Sequence, residues 1–207
     1  MNGRIIKMGV ALTASYLAFG TAAAIAQNAF PSQELLAESV AESVDAAAEA
    51  DSEPAPFEAF VVPGQFALEI PTGWTTQVSA SEDMAIITNY DRATSAPALT
   101  DIKTEITVVA EPPDVYVSRE LDSLIEQALA GAYEIDRYGI TSIGGKEAFR
   151  IWMVQLPGDF AQQAITFVGD GQGSTAKIVS SYNDDSPATK DLILHMHGSF
   201  DFVAPGE

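Results

Sequence analysis

Apolar and polar residues alternate in a series of short runs along the second part of the chain, and this alternation predicts β-strands. Phe66, Leu68 and Ile70 form the first apolar face, and a Pro-Thr-Gly turn follows them directly. Residues 102–110 again place apolar side chains at nearly every second position, as in a half-buried strand. The remaining runs predict further strands at 84–90, 133–143, 147–156, 161–168 and 175–182.

Two segments follow a helical spacing instead. The first carries apolar residues three and four positions apart, at Leu121, Leu124, Ile125, Ala128 and Leu129. We expect a helix over 119–130 with Ser118 as its N-cap and Gly131 at its end. The second helix is expected to begin at Ser186-Pro187, because proline favours the first helical position, and to run to residue 197.

The run at 147–156 is apolar on both faces, with Phe149 on one face and Trp152 on the other. A strand of this kind needs cover on both sides, so it is expected inside its sheet. Glycine-rich turns between the later strands favour hairpins. The order of strands, helix, four strands and helix predicts an α+β domain on an antiparallel sheet over residues 59–207.

Charge and composition narrow the classes of function. The 207 residues include 29 Asp and Glu against 10 Lys and Arg, which gives a net charge of -19. Binding to nucleic acid or directly to anionic lipid relies on basic residues, so neither partner is expected. The chain has no cysteine, which excludes disulfides, thiolate catalysis and cysteine-ligated metals.

The first 26 residues predict where in the cell the protein is located. Arg4 and Lys7 precede an uncharged stretch that ends in Ala24-Ile25-Ala26, the small-x-small pattern of a signal-peptidase site. We therefore expect an exported protein, in the periplasm or a thylakoid lumen, cleaved before Gln27. An uncleaved N-terminal membrane anchor is the alternative, because the uncharged stretch approaches the ~20 residues of a membrane span.

Residues 27–58 form a segment of different composition between the signal peptide and the domain. They contain eight acidic residues, no basic residue and several alanines, and they end near Pro54 and Pro56. A mobile acidic linker is the favoured interpretation, since like charges extend such a segment. A weak helix over 33–50 and a tail that seeks a basic partner surface are the alternatives.

The histidines His195 and His197 are the first candidates for metal ligands. Residues two apart on a helix lie about 200° around its axis, so their rings cannot converge on one ion. The expected apolar face comprises Ala188, Leu192, Ile193 and Met196. On this basis His195 flanks the apolar face and His197 points away from it, and both are expected at the surface or its boundary.

Aspartates in two turns are the second group of candidates. Asp170 lies in the sequence GDGQG, and Asp184 and Asp185 precede the last helix. Both places could offer oxygen ligands to Ca²⁺ or Mn²⁺, but neither has the ligand spacing of a calcium loop. The glycines and aspartates are better explained as turn and helix-start residues, so no metal or other cofactor is expected.

Catalytic motifs are missing from the sequence. There is no G-x-S-x-G elbow for a serine nucleophile, and GDGQG lacks the residues of a phosphate loop. The acidic residues of the domain include no pair that a motif would single out. Four large aromatic residues are expected in the core rather than in a ligand cage: Trp74, Phe149, Trp152 and Phe167. We therefore predict a protein that is not an enzyme and assign no catalytic, cofactor-binding or metal-binding residue.

Three sequence segments resemble the PsbP-like family, which includes the extrinsic PsbP protein of photosystem II and related exported bacterial domains. They are FALEIPTGW at 66–74, ITSIGGKEAFRIWMVQL at 140–156 and LHMHGSFDFV at 194–203. Within them, Pro71-Thr72-Gly73-Trp74, Gly144-Gly145 and Ser199-Phe200 match the family pattern. The resemblance spans about residues 62–203.

The resemblance implies an antiparallel β-sheet sandwiched by helices in an α/β/α arrangement. It also implies a non-enzymatic accessory protein that binds, assembles or stabilises a membrane complex such as photosystem II. A small-ligand or divalent-metal binding protein of the periplasm is the alternative function. The chain departs from the plant PsbP protein in one respect, because its segment before the domain is acidic where the plant protein is rich in basic residues.

Overall fold

The computed structural model describes residues 56–79, 84–93 and 97–204. The described residues form ten strands and two helices. In chain order these are β1 (Phe57–Val62), β2 (Phe66–Pro71), β3 (Thr75–Val78), β4 (Met84–Thr88), β5 (Ile102–Val109), α1 (Pro113–Leu129), β6 (Glu134–Ile143), β7 (Lys146–Val154), β8 (Gln162–Gly169), β9 (Thr175–Tyr182), α2 (Pro187–Gly198) and β10 (Asp201–Phe202). Neither helix of this part of the chain has the length and hydropathy of a transmembrane span.

The strands described form two antiparallel sheets. The larger sheet has the strand order β3-β4-β5-β9-β8-β7-β6, and the smaller has the order β1-β2-β10. Consecutive strands are neighbours in most of the large sheet, whereas β5 pairs with β9 after the chain has passed through α1 and three strands. This topology confirms the predicted α+β class with an antiparallel sheet.

The two faces of the large sheet have different cover. On one face α1 packs over β7 and β8 through a core cluster that includes Tyr116, Ile151 and Phe167. On the other face α2 and the small sheet pack through residues such as Phe66 and Met196. The strand β7 is covered on both sides, as its two apolar faces predicted, and it lies one position inside the sheet edge.

The first helix begins six residues earlier than the sequence prediction. It starts at Pro113, and Pro112 occupies the N-cap position without a side-chain cap, so the prediction of Ser118 as N-cap is wrong. The apolar spacing continues upstream through Val117 and the buried Tyr116, whose ring contacts Phe167 edge-on. Tertiary packing of this turn replaces the missing cap hydrogen bond.

Several predicted segments lie outside the described residues. These are the signal peptide over 1–26, its possible role as an anchor, and the linker as far as residue 55. The last residues assigned to the linker, Phe57 and Glu58, belong to β1 and pair with Pro71 and Ile70 of β2. The strands β1, β3 and β10 were not predicted. The strand β3 is exposed along its whole length and has no apolar alternation.

Candidate functional site

A network of hydrogen-bonded polar side chains lies beneath α2. His197 contacts Thr166 Oγ1 through Nδ1 at 2.8 Å and Ser180 Oγ through Nε2 at 2.9 Å. The Ser180 hydroxyl contacts Thr104 Oγ1 at 2.7 Å, and Arg150 Nε donates to Thr166 Oγ1 at 2.9 Å. These five residues, called the buried polar chain below, join α2 to β5, β7, β8 and β9.

The position of His197 corrects the sequence prediction. Its side chain is fully buried, whereas the prediction placed it on the side of α2 that points away from the core. The buried residues of the helix are Ile193, Met196 and His197, and Phe200 just after the helix is buried as well. A residue four positions after a buried isoleucine lies on the same face, and this signal was already present in the sequence. Ala188, assigned to the apolar face, is exposed.

Burial and a nearby cation keep His197 neutral. Loss of hydration, followed by repulsion from the Arg150 guanidinium, lowers the pKa of His197 to about 3. The neutral ring carries one N–H and one acceptor nitrogen. With the proton on Nε2, Thr166 donates to Nδ1, Nε2–H donates to Ser180, and Ser180 donates to Thr104. Each of the five side chains then forms at least one hydrogen bond within the buried polar chain.

The distance between Ser180 and His197 equals that of a nucleophile and its base, but the surroundings differ from those of a hydrolase. Ser180, Thr166, Thr104 and His197 all have zero exposure to solvent. A nucleophile must reach the substrate, and this hydroxyl is covered by α2 on a closed face of the sheet. The arrangement satisfies buried polar groups and fixes the position of α2.

His195 lies on the exposed side of the same helix. Its Nε2 is 2.7 Å from Glu69 Oε2, and its ring packs against Phe57 with centroids 4.0 Å apart. It therefore connects α2 to the small sheet, at the edge of the apolar face as the sequence predicted. The two histidines point to different surroundings and do not converge.

The aspartates of the two turns accept hydrogen bonds from backbone and side-chain groups of their own turns. Asp170 Oδ1 accepts hydrogen bonds from the backbone N–H groups of Gln172 and Ser174, and these bonds hold its pKa below the usual range. Asp184 accepts from Ser186 and Thr189 at the start of α2, and these bonds lower its pKa as well. The described ranges contain no group of three or more acidic or histidine side chains placed to hold a metal ion.

An apolar groove runs between α1 and the outer strand β6. A cavity of about 240 Å³ forms one half, lined by Leu121, Leu124, Ile125, Ile135, Tyr138, Phe149 and Ile151. A second cavity of about 530 Å³ continues along the helix toward its N-terminus, and Phe149 and Ile140 belong to its lining. We call this continuous surface the α1/β6 groove.

The groove exists because α1 does not extend over the outermost strand. Tyr138 pairs with Ile151 and Ile140 with Phe149, so these side chains of β6 lie on the α1 face of the sheet. Tyr138 and Ile140 are nevertheless each 73% exposed. Two large apolar side chains next to each other on one strand face therefore remain in contact with solvent.

The helix adds exposed apolar side chains on the side that faces the groove. Residues 114, 118, 121, 125 and 129 follow one another at spacings of three and four and share one side of α1. Ile125 is 46% exposed and Leu129 is 83% exposed. Ile125 and Tyr138 thus line opposite sides of this end of the α1/β6 groove, and Leu129 continues the exposed apolar side of the helix beyond the cavity.

The other end of the groove is acidic. Asp114 and Glu147 line the cavity that contains Ile140. Both carboxylates are exposed, and neither forms an ion pair with another of the described residues. The nearest bases along the chain are engaged elsewhere, since Arg119 pairs with Glu111 at 2.7 Å and Lys146 with Asp201 at 2.6 Å.

A second, more open depression lies at the opposite end of the sheet. It measures about 680 Å³ and includes Gln77, Tyr90 and Arg92 in its lining. The guanidinium of Arg92 donates to Gln77 at 3.4 Å, and Lys103 nearby pairs with Glu105 at 2.9 Å. Arg92 of this depression is thus engaged by Gln77, whereas the α1/β6 groove exposes large apolar side chains, so the groove is the stronger candidate for a binding surface.

Four aromatic residues predicted in the core have different degrees of burial. Trp152 and Phe167 are buried, and Phe149 packs against the cluster beneath α1. Trp74 is half-buried and packs against both clusters on the opposite face. The sequence thus indicated core positions for these residues, but it gave no sign that Phe149 forms the floor of an open groove.

No protein-family model and no curated protein matches the sequence. Solved structures with a similar fold include cyanobacterial PsbP (CyanoP) from Synechocystis sp. PCC 6803, with 12% identity, a TM-score of 0.49 and coverage of 73% of this chain and 95% of that one. A mutant of the protein Mog1 has 11% identity, a TM-score of 0.46 and coverage of 72% and 97%. A protein of unknown function from Pseudomonas aeruginosa, PA94, has 13% identity, a TM-score of 0.42 and coverage of 69% and 94%.

Proposed function

We propose that the protein is a non-catalytic, exported accessory protein that binds a protein component of a membrane complex through the α1/β6 groove. The observation that carries this proposal is the exposed apolar surface formed by Tyr138 and Ile140 of β6 with Ile125 and Leu129 of α1. Contiguous exposed apolar surface on a folded domain marks interaction sites.

The composition of this surface favours a protein as the ligand. Aromatic side chains are enriched in the centre of protein interfaces, and charged side chains there are depleted. Tyr138 combines a large apolar ring with a hydroxyl that can find a partner when the surface is covered. Its ring lies 6.2 Å from that of Phe149, so an apolar contact would extend from the surface into the floor of the groove.

The non-catalytic part of the proposal is supported by the position of the polar groups. The serine and histidine that have the spacing of a catalytic pair are buried beneath α2. The half of the α1/β6 groove between Leu124 and Tyr138 is lined almost entirely by apolar side chains. A surface of this chemistry can bind apolar groups, and the exposed carboxylates Asp114 and Glu147 lie in the other half of the groove.

Two parts of the proposal, export and binding to a membrane complex, are supported by the sequence alone. The signal-peptide pattern over 1–26 supports export, and the segments that resemble PsbP-like proteins support an accessory role at a membrane complex. Photosystem II is the first complex to test in a photosynthetic source, and other membrane complexes that face the periplasm follow.

A small apolar ligand is the second candidate for this site. The cavity between Leu124 and Tyr138 has almost no polar lining, and mostly apolar concave sites also bind small molecules. Its volume of about 240 Å³ is below the ~300 Å³ at which small-molecule pockets usually begin, and the cavity of about 530 Å³ that continues it includes the carboxylates Asp114 and Glu147 in its lining. The elongated surface therefore favours a protein segment.

Site-specific photo-cross-linking tests the proposed function. A photoreactive amino acid replaces Tyr138 in the full chain, which is expressed in native cells and irradiated before the membranes are isolated. We expect a discrete adduct with one membrane-complex subunit. The same label at Leu99, an apolar residue that is 66% exposed outside the groove, is the matched control. An equal pattern of adducts from both positions, or none from Tyr138, would rule out the groove as the docking site.

A further inference from the structure

We propose that the occupant of the α1/β6 groove is an extended, lysine- or arginine-rich segment of a partner protein, which adds a strand to the free edge of β6. This inference rests on the proposed function and specifies the conformation and charge of the partner. It follows from three features of the site: an unpaired strand edge, an apolar groove beside it, and unpaired carboxylates at one end.

The strand β6 has a long unpaired edge. Among the described strands it pairs only with β7 and ends the large sheet. The pairing is irregular between Ile135 and Arg137 and then continues in register to Ile143. The residues after the irregularity therefore offer a regular row of backbone N–H and C=O groups on the outer side.

The opposite edge of the same sheet lacks these properties. There β3 is only four residues long, Thr75–Val78, and its one large apolar side chain, Val78, is 39% exposed. Natural proteins protect sheet edges by short strands, inward-facing charges or cover. The strand β6 has ten residues, and its exposed Tyr138 and Ile140 point into the groove rather than blocking an approach.

The groove fits the side chains of an added strand. In an extended segment every second side chain lies on the same face. A strand next to β6 would place these side chains beside Tyr138 and Ile140, between the sheet edge and the bank formed by Ile125 and Leu129. Main-chain hydrogen bonds to β6 would supply affinity, and the apolar contacts would set the register.

The charge of the site selects a basic segment. The helix α1 carries four acidic residues and one basic residue, and the basic residue, Arg119, is already paired with Glu111. Asp114 has a structural role as well, because a carboxylate in the first turn stabilises a helix. Glu147 on β7 has no such role and lies at the same cavity. A lysine or arginine of the occupant would lie between these two carboxylates.

Three synthetic ten-residue peptides test the inference on the full chain. Each peptide has threonine at every second position, and the positions between, which share one face of the strand, carry valine in one half and a charged residue in the other. The charged residue is lysine in the first, valine–lysine peptide and glutamate in the second, and the third is the valine–lysine peptide with two central threonines replaced by proline. Binding is measured by fluorescence anisotropy at physiological ionic strength, where long-range attraction between exposed charges is screened. Hydrogen exchange of the β6 amides is followed in parallel.

We expect the valine–lysine peptide to bind at least about tenfold more tightly than the other two, because proline removes strand hydrogen bonds and glutamate repels the carboxylates. The amides of residues 137–143 should exchange more slowly when it is bound. The double variant Asp114→Lys/Glu147→Lys should weaken its binding by about tenfold. The matched control is Asp159→Lys/Asp191→Lys, which reverses two exposed acids elsewhere and should leave binding within about twofold.

Results that contradict strand addition can be distinguished from results that contradict the proposed function, because the Tyr138 cross-link tests the groove without a peptide. Equal binding of the proline peptide, or equal weakening in both double variants, would mean non-specific attraction and would overturn strand addition. Absence of binding by the valine–lysine peptide would overturn it as well. If Tyr138 still cross-links to one membrane subunit in those cases, the groove remains a docking site for a partner of another shape. If the cross-link is absent too, both proposals fail.

Discussion

The two faces of the large sheet differ in which side chains they bury and which they leave exposed to solvent. Beneath α2, a histidine, a serine and two threonines are buried and hydrogen-bonded to one another. Beside α1, Tyr138 and Ile140 remain open to solvent on a long strand edge. Ser180 and His197, which have the spacing of a catalytic pair, are thus buried, whereas Tyr138 and Ile140 of the α1/β6 groove are exposed.

This difference suggests which residues contribute to the stability of the domain and which are available to bind a partner. A buried polar network is costly when any member lacks a partner, so its completeness indicates a structural role in fixing α2. An exposed apolar surface contributes little to folding and is costly to leave in water, which is why we propose a role in association for it. Substitutions on the α2 face should therefore change stability, and substitutions along the groove should change binding.

Removal of the central histidine should have the largest effect. His197→Ala deletes a buried ring and leaves the hydroxyls of Thr166 and Ser180 without their partner, which we expect to cost about 3–5 kcal/mol in free energy of unfolding. Urea unfolding followed by tryptophan fluorescence measures this cost. The control is His195→Ala, whose half-exposed ring should matter by less than about 1 kcal/mol. Equal losses in the two variants would show that burial does not distinguish the histidines.

Acidification should destabilise the domain through the same residue. Its pKa is about 3 in the folded state and about 6.5 in an unfolded chain. Between these values the unfolded state binds one more proton, so the stabilisation present above pH 6.5 decreases as the pH falls, by about 2 kcal/mol between pH 6.5 and 4.5. The lowered carboxylate pKa values of Asp170 and Asp184 act at lower pH.

The pH dependence is measured as the urea midpoint in steps from pH 7 to pH 4.5. The matched variant is His197→Gln, which keeps a polar group but cannot take up the proton, and which retains His195. We expect the difference in free energy of unfolding between the two proteins to shrink as the pH falls. A constant difference across this range would contradict a buried, neutral His197.

Local periodicity predicted most of the strands of the large sheet. β9 was predicted at 175–182 and is observed at Thr175–Tyr182, because its apolar alternation is bounded by a glycine turn on one side and a helix start on the other. The start of α1 was misplaced because Ser118 is a favourable N-cap in isolation. Contacts of Tyr116 with a strand about fifty residues away decide the true start, and such contacts cannot be derived from local sequence.

The candidate site depends even more on non-local pairing. The position of β6 at the sheet edge follows from β5 pairing with β9, which places the hairpin of β6 and β7 outermost. From sequence alone, Tyr138 and Ile140 are simply apolar residues of a strand. The buried polar chain was missed for a similar reason, because Thr104, Thr166 and Ser180 lie on three strands that meet only in the fold.

Gly169 in β8 allows the start of α1 to pack closely against the sheet. Its substitution should have an intermediate effect on stability. A methyl group at Gly169 would overlap the ring of Pro113, the first residue of α1. Gly169→Ala should therefore displace the helix start and cost about 1–3 kcal/mol in free energy of unfolding. The matched control is Gly139→Ala in β6, where the added methyl group meets no atom within 4 Å and stability should stay nearly constant. A neutral result at Gly169 would mean that the helix start yields without cost.

The smallest effect on stability is expected where the effect on binding is largest. Tyr138→Ser and Ile140→Ser remove side chains that are 73% exposed, so each should change the free energy of unfolding by no more than about 0.5 kcal/mol. Thermal unfolding checks stability, and the yield of the groove cross-link, with its label moved to Ile125, checks binding. A loss of the cross-link with unchanged stability would assign these side chains to association. A loss of stability above about 1 kcal/mol would instead place them in the core, and the contrast between the two faces of the sheet would disappear, because the groove would then be part of what folds the domain.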